Sequence, residues 1–353
     1  MPVFLHGLST ALPPNRLDQS DVEARAALIF GDRYPQFDRL ARTFGTSGIK
    51  HRYSVMPLDW FSQDHGWKDR NDAYLIGADQ MFVDAADRAL SDAGWRADQV
   101  DCVVTVSSTG IATPTIEARV FTRMGFRDDI LRVPLFGLGC AGGVSGLSVA
   151  QRLADGADAP KVLLVVIEAC SLSFRTDRLQ KADIIATVLF GDGAAAACLS
   201  SDLPAKGPHV QLGKGFQKIW PDTLAIMGWD VDQTGLGVVF DRSIPNFVSE
   251  HFTQAADQAL SASGLTRHDI DRFVCHPGGA KVVEAIEASL NLTPGVLDAE
   301  REVLRDTGNM SAPTVMFVLK SVLQSGGTGQ MMACALGPGF TGSFLPLHVS
   351  AGI

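Results

Sequence analysis

Three residues carry the chemistry of this chain, and each stands at the end of an expected element. Cys140 lies in Gly137-Leu138-Gly139-Cys140-Ala141-Gly142, between a strand-like run at Leu131 to Phe136 and a helix-like run at Val144 to Leu153. A thiol at a helix N-terminus meets the positive end of the peptide dipoles, which draws its pKa from about 8.5 toward neutrality and makes it a nucleophile. The glycines around it let a bulky thioester approach the backbone. Downstream, His276-Pro277-Gly278-Gly279 follows a strand-like run, and Gly308-Asn309-Met310-Ser311 precedes another helix. Cysteine, histidine and asparagine together form the parts of a thioester-processing site.

An internal repeat supplies the elements that bring these parts together. Asp84 to Asp101 matches Gln254 to Asp271 at eight of eighteen positions, without a gap, at an offset of 170 residues. The same offset lays the helix beginning at Cys140 on the one beginning at Met310, and the strand Lys161 to Cys170 on Met331 to Phe340. If the halves fold alike about a pseudo-twofold axis, Cys140 and Asn309 stand at equivalent N-termini of two central helices. His276 then lies at the C-terminal end of a strand beside them. The boundary falls in Ser200 to Pro208, giving a half at 1–205 with the cysteine and a half at 206–353 with the histidine and asparagine.

Strand-like runs at Asp101 to Ser107, Leu131 to Phe136 and Lys161 to Glu168 alternate with helical ones at Pro114 to Met124 and Val144 to Leu153, which is α/β organisation. The strands at 102–106 and 162–167 are continuously apolar, as in sheets covered on both faces. A chain of 353 residues suits two fused domains of similar size. Its net charge of -9, with no long basic stripe, argues against general nucleic-acid binding. Six cysteines (Cys102, Cys140, Cys170, Cys198, Cys275, Cys334) lie in apolar runs with no CxxC pair, so neither a metal cage nor a disulfide framework is indicated and a reducing cytoplasm is expected. The start does not read as a signal peptide, and no run reaches the roughly 18 apolar residues that span a bilayer.

Gly137-x-Gly139-x-x-Gly142 also has the spacing of a dinucleotide fingerprint, with Glu168 ending the next strand where a ribose-binding acid could stand. Against that reading, Cys140 fills a slot that needs no thiol, and the duplication already accounts for strand, helix and strand.

GLGCAGG, His276-Pro277-Gly278-Gly279, Gly308-Asn309-Met310-Ser311 and Gly337-Pro338-Gly339-Phe340-Thr341 together resemble the type III polyketide synthases, the chalcone synthase superfamily, over essentially the whole chain. The stretch Ser108 to Pro114, with Met227-Gly228-Trp229-Asp230-Val231, is more similar to bacterial members that make alkylpyrones and alkylresorcinols than to plant enzymes, and it places Thr113 among the substrate-binding positions. The resemblance implies a thiolase-like, five-layered αβαβα fold of two duplicated halves, acting as a homodimer. It implies that Cys140 carries the starter and growing chain, and that His276 pairs with the thiolate. With Asn309, His276 donates to the thioester oxygen as malonyl-CoA loses carbon dioxide. No metal or organic cofactor is implied, the substrates being coenzyme A thioesters.

By the same resemblance Phe190 is the gatekeeper at the mouth of the site and Cys170 lines the acyl cavity. The resemblance implies that Arg39, Arg42 and Lys281 contact coenzyme A phosphates, with Lys50, His51 and Arg52 following as further expected parts of a basic mouth, while Thr46 replaces a further family lysine. Val238 and Leu336 stand where relatives carry phenylalanine, which favours a roomier or differently directed tunnel and a long acyl starter, though Trp229 or Met227 nearby can offset the loss of one ring. The alternatives are an initiating-type 3-ketoacyl synthase performing one condensation and a catalytically silent scaffold of the same fold.

Overall fold

The computed structural model describes residues 1–205 and 207–350. Its strands, in chain order, are β1 (Val3–Ala11), β2 (Asn15–Asp18), β3 (His51–Ser54), β4 (Cys102–Val106), β5 (Leu131–Leu135), β6 (Val162–Ala169), β7 (Asp192–Ser200), β8 (His209–Leu212), β9 (Phe216–Ile219), β10 (Met227–Val231), β11 (Leu236–Phe240), β12 (Arg272–Cys275), β13 (Gly329–Gly337) and β14 (Thr341–Ser350). One sheet runs in the order β12-β13-β14-β8-β1-β7-β6-β4-β5, with β9 pairing β14. β10–β11 and β2–β3 form separate two-stranded ribbons.

That order is the duplication made visible. Reading inward from either side, β12-β13 and β4-β6 are parallel pairs, β13-β14 and β6-β7 are antiparallel pairs, and β8 meets β1 at the centre. The 170-residue offset carries Cys102, the first residue of β4, onto Arg272, the first of β12. β5 extends the first half only.

Every second residue of the central strands faces a different core, as the period of two requires. In β6, Val162, Leu164 and Val166 join a core shared by both halves, while Leu163, Val165 and Ile167 pack outward with the helix Trp67–Ala93. In β13, Met331 and Ala333 face the shared core, and Met332 and Cys334 pack outward with the helices Ile244–Ala262 and Ala280–Leu290. The helices Gly142–Ala154 and Thr314–Gln324 fill the shared core through Val144, Leu147, Val315 and Leu319. Five layers result, helix, strand, helix, strand, helix, which is the thiolase-like arrangement expected. The helical run expected at Pro114 to Met124 is two four-residue pieces, Ile116–Arg119 and Phe121–Met124, meeting at Val120, whose backbone leaves helical geometry. Among the described residues no helix is long and apolar enough to cross a membrane.

Candidate active site

The candidate nucleophile is presented by a turn that only glycine permits. Gly139 has φ +47° and its missing Cβ would lie 2.6 Å from Cδ of Pro338, so the terminal Gly-Pro-Gly loop packs directly on the backbone beside Cys140. Cys140 sits in the single 3-10 turn Gly139–Ala141 that leads into Gly142–Ala154. Gly143 brings the other half close, since a Cβ there would meet the Ala312 carbonyl oxygen at 2.3 Å. The two central helices therefore approach at backbone distance, which sets Cys140 near the Asn309 turn. The dinucleotide reading fails on the same contacts, because Pro338 occupies the face of the turn where a pyrophosphate would lie. Glu168 is no ribose acid either: it is fully buried, and its carboxylate accepts from Ser108 N (3.0 Å), Ser108 Oγ (2.8 Å) and Thr109 Oγ1 (2.8 Å).

Cys140, His276 and Asn309 line one apolar cavity of about 50 Å³, together with Phe190, Cys170 and Val238. His276 follows β12, its backbone N–H donating to the Cys334 carbonyl at 2.9 Å. Both its ring nitrogens are buried without a hydrogen-bond partner among the described residues, so both are open toward a reacting group. Asn309 gives one amide proton to the Gly278 carbonyl (3.0 Å) and its Oδ1 accepts from Ser311 N (2.8 Å), which fixes the amide while leaving its second proton uncommitted.

The expectation of a thiol drawn toward neutrality is reversed. Burial pushes the Cys140 thiol up to about 11, opposed by a hydrogen bond from Ser311 and aided by the nearby Glu168 carboxylate. Burial likewise pulls His276 down to about 3. In this apolar enclosure burial disfavours the charged form of each group.

Phe190 packs edge-on against Trp229, ring centres 6.2 Å apart. The rings of Trp229, Phe240 and Phe252 line the cavity along with Met227, Val238 and Leu336. A second cavity of about 40 Å³ lies behind Cys170 and Phe190, walled by Leu17, Val22, Phe61 and Phe174. Thr113 is exposed and lines neither cavity.

Arg39 and Lys281 line an open groove of about 640 Å³ that shares Gly278, Val282 and Ile244 with the catalytic cavity. Arg42 is exposed but does not line the groove. Two cations that sequence reasoning missed, Lys181 and Arg242, do. They come from elements with no motif of their own, and only folding gathers them. Ser311, also missed, was within reach, since it ends the Gly308-Asn309-Met310-Ser311 motif; its φ of +59° is strained for a residue with a side chain, a cost typical of working sites. Arg52 does not belong to the basic mouth, being almost fully buried on β3.

Comparison with known proteins shows the family of the chain. The description "Chalcone and stilbene synthases, N-terminal domain" matches residues 2–203, and the corresponding C-terminal domain matches residues 211–348. A 1,3,6,8-tetrahydroxynaphthalene synthase of Streptomyces peucetius subsp. caesius is 35% identical over 96% of this chain and 91% of its own. A putative chalcone synthase of Bacillus subtilis is 32% identical over 97% of each chain. The solved 1,3,6,8-tetrahydroxynaphthalene synthase of Streptomyces coelicolor superposes with a TM-score of 0.92 over 99% of both chains at 25% identity. The chain therefore belongs to the chalcone and stilbene synthase family, the type III polyketide synthases, and is an acyltransferase of the decarboxylative condensing kind.

Proposed function

We propose that the enzyme loads an acyl-CoA starter of medium to long chain on Cys140, extends it with malonyl-CoA and cyclises the product to an alkylpyrone or alkylresorcinol. The observation that carries this reading is the convergence of the Cys140 thiol, two open imidazole nitrogens of His276 and one spare amide proton of Asn309 in a single apolar cavity. Attack of the Cys140 sulfur on the starter thioester passes the thiol proton to His276, which returns it to the departing coenzyme A sulfur. Breaking the carbon–carboxylate bond of malonyl-CoA releases carbon dioxide and leaves an enolate. Hydrogen bonds from His276 and Asn309 stabilise its oxygen, at a few kcal/mol each for preorganised donors in a dry site. The enolate carbon then attacks the acyl carbonyl and expels the Cys140 thiolate, leaving the lengthened chain on coenzyme A; the thiolate attacks that thioester, displaces coenzyme A and takes the chain back for another round. No step calls for a metal or organic cofactor.

Arg39 and Lys281, joined by Lys181 and Arg242, suit the phosphates of coenzyme A at the groove. The apolar space behind Cys170 suits an aliphatic tail. A homodimer is the expected assembly, supported by the edge strand β5 with Leu131 53% and Phe136 66% exposed beside it. Six free, buried cysteines suit the reducing cytoplasm. The test is incubation with a ladder of acyl-CoAs and labelled malonyl-CoA, read by mass spectrometry. Tri- and tetraketide pyrones or resorcinols from long starters are expected, and none from Cys140→Ala. Release of a single-condensation product alone would establish a ketoacyl synthase instead.

A further inference from the structure

Arg52 is buried, and among the described residues no carboxylate is in contact with it. Its Nη1 donates to the carbonyls of Thr187 (2.6 Å) and Phe190 (3.0 Å), and its Nη2 to the Val188 carbonyl (2.7 Å) and to Oε1 of Gln19. Thr187 and Val188 lie in the last turn of the helix Lys181–Leu189, where carbonyls have no partner within the helix. The one carbonyl left in this run, that of Leu189, accepts from the backbone N–H of Asn309 (2.8 Å), and Gly191 N–H returns a bond to the Asn309 carbonyl (3.0 Å). Residues 187–191 are thus held by Arg52 on one side and by Asn309 on the other. Gly308 closes the contact: at φ +67°, its missing Cβ would lie 2.9 Å from the Leu189 carbonyl oxygen and 3.3 Å from the Arg52 Cβ.

We propose that Arg52 is a positioning residue that fixes the Phe190 ring and the Asn309 amide in one register, so that the gate and the enolate donor are set together. The inference rests on the role in malonyl decarboxylation given above to Asn309. A plain helix cap needs no full charge. Burial is costly for this guanidinium and draws its pKa down to about 9, with only Asp192 nearby to offset it. What the charge provides is a planar fork that reaches three carbonyls of one short segment at once, which lysine cannot copy.

The test separates two half-reactions: transfer of an acyl group from acyl-CoA to Cys140, read as the mass of the intact protein, and release of labelled carbon dioxide from malonyl-CoA. In Arg52→Gln, carbon dioxide release falls at least tenfold while acylation stays within threefold of wild type, and Arg52→Lys recovers part of the loss. Gln19→Leu, which removes one acceptor of the same guanidinium, shows a smaller split in the same direction and decides the matter should the Arg52 variants not fold. A parallel fall of both half-reactions, or carbon dioxide release untouched, overturns the inference alone. A wild-type enzyme that never decarboxylates malonyl-CoA overturns the functional reading and this inference with it.

Discussion

Replacing Val238 by phenylalanine tests whether the cavity sets starter length. Val238 lies on β11 opposite Trp229 on β10, and its buried side chain lines the catalytic cavity. A ring at this place fills space equivalent to about three methylenes of a bound acyl chain, and at about 0.8 kcal/mol for each buried methylene the loss is about 2.4 kcal/mol. That converts to about a fiftyfold fall in kcat/KM for starters long enough to meet the ring. Short starters such as acetyl-CoA stop before it and change little, and malonyl decarboxylation, assigned above to His276 and Asn309, continues. The assay is the acyl-CoA ladder, with kcat/KM measured for each length in wild type and Val238→Phe. A uniform fall along the ladder refutes the reasoning, because it means that the ring disturbs the catalytic groups rather than the tail. An optimum that does not move refutes it as well.

Asn309→Ala is expected to retain starter transfer to Cys140 while losing malonyl decarboxylation, and His276→Ala to impair both; equal loss in the Asn309 variant overturns the division of roles. Gly143→Ala places a methyl about 2.3 Å from the Ala312 carbonyl oxygen, an overpacking that costs about 1–3 kcal/mol and parts the two central helices, so both thermal stability and Cys140 acylation fall. A variant as stable and active as wild type removes that contact from the account. Burial raises the Glu168 carboxyl from 4.5 to about 7, so the folded state takes up a proton between these values, and the stability the group contributes is full below about pH 4.5 and lost as pH rises to about 7, about 3 kcal/mol in all. Denaturant midpoints at several pH values therefore show Glu168→Gln gaining on wild type between pH 4.5 and 8; a constant difference refutes the sign.

How far the sequence revealed this molecule depended on whether a feature was local. The repeat was legible because corresponding helices and strands kept one offset, and Cys140, His276 and Asn309 were legible because each stands in a glycine-rich turn at an element end. The state of Cys140 was not legible, since the helix N-terminus is written in the sequence but the burial that outweighs it comes from the opposite half. Arg52 read as surface charge because it follows Lys50 and His51; β3 turns it inward instead. Lys181 and Arg242 carried no signal, for an exposed cation is ordinary until a fold aligns several along one groove. The aromatic lining around Val238 was half legible: Trp229 and Met227 were in view beforehand, Phe240 and Phe252 only once the cavity was drawn.

The alternating strands also limit where this molecule can change. Each of β6 and β13 supplies two cores at once, so inserting or deleting one residue would exchange inner and outer side chains along the rest of the strand and spoil both layers together. Substitution by volume is open to them, but a change of length is not. The β10–β11 ribbon lies off that sheet, yet it contributes Met227, Gly228, Trp229, Val238, Val239 and Phe240 to the wall of the cavity. A lengthened or shortened hairpin there reshapes the reaction chamber without shifting the register of any central strand, and so new products can arise in this ribbon while the catalytic frame is inherited unaltered.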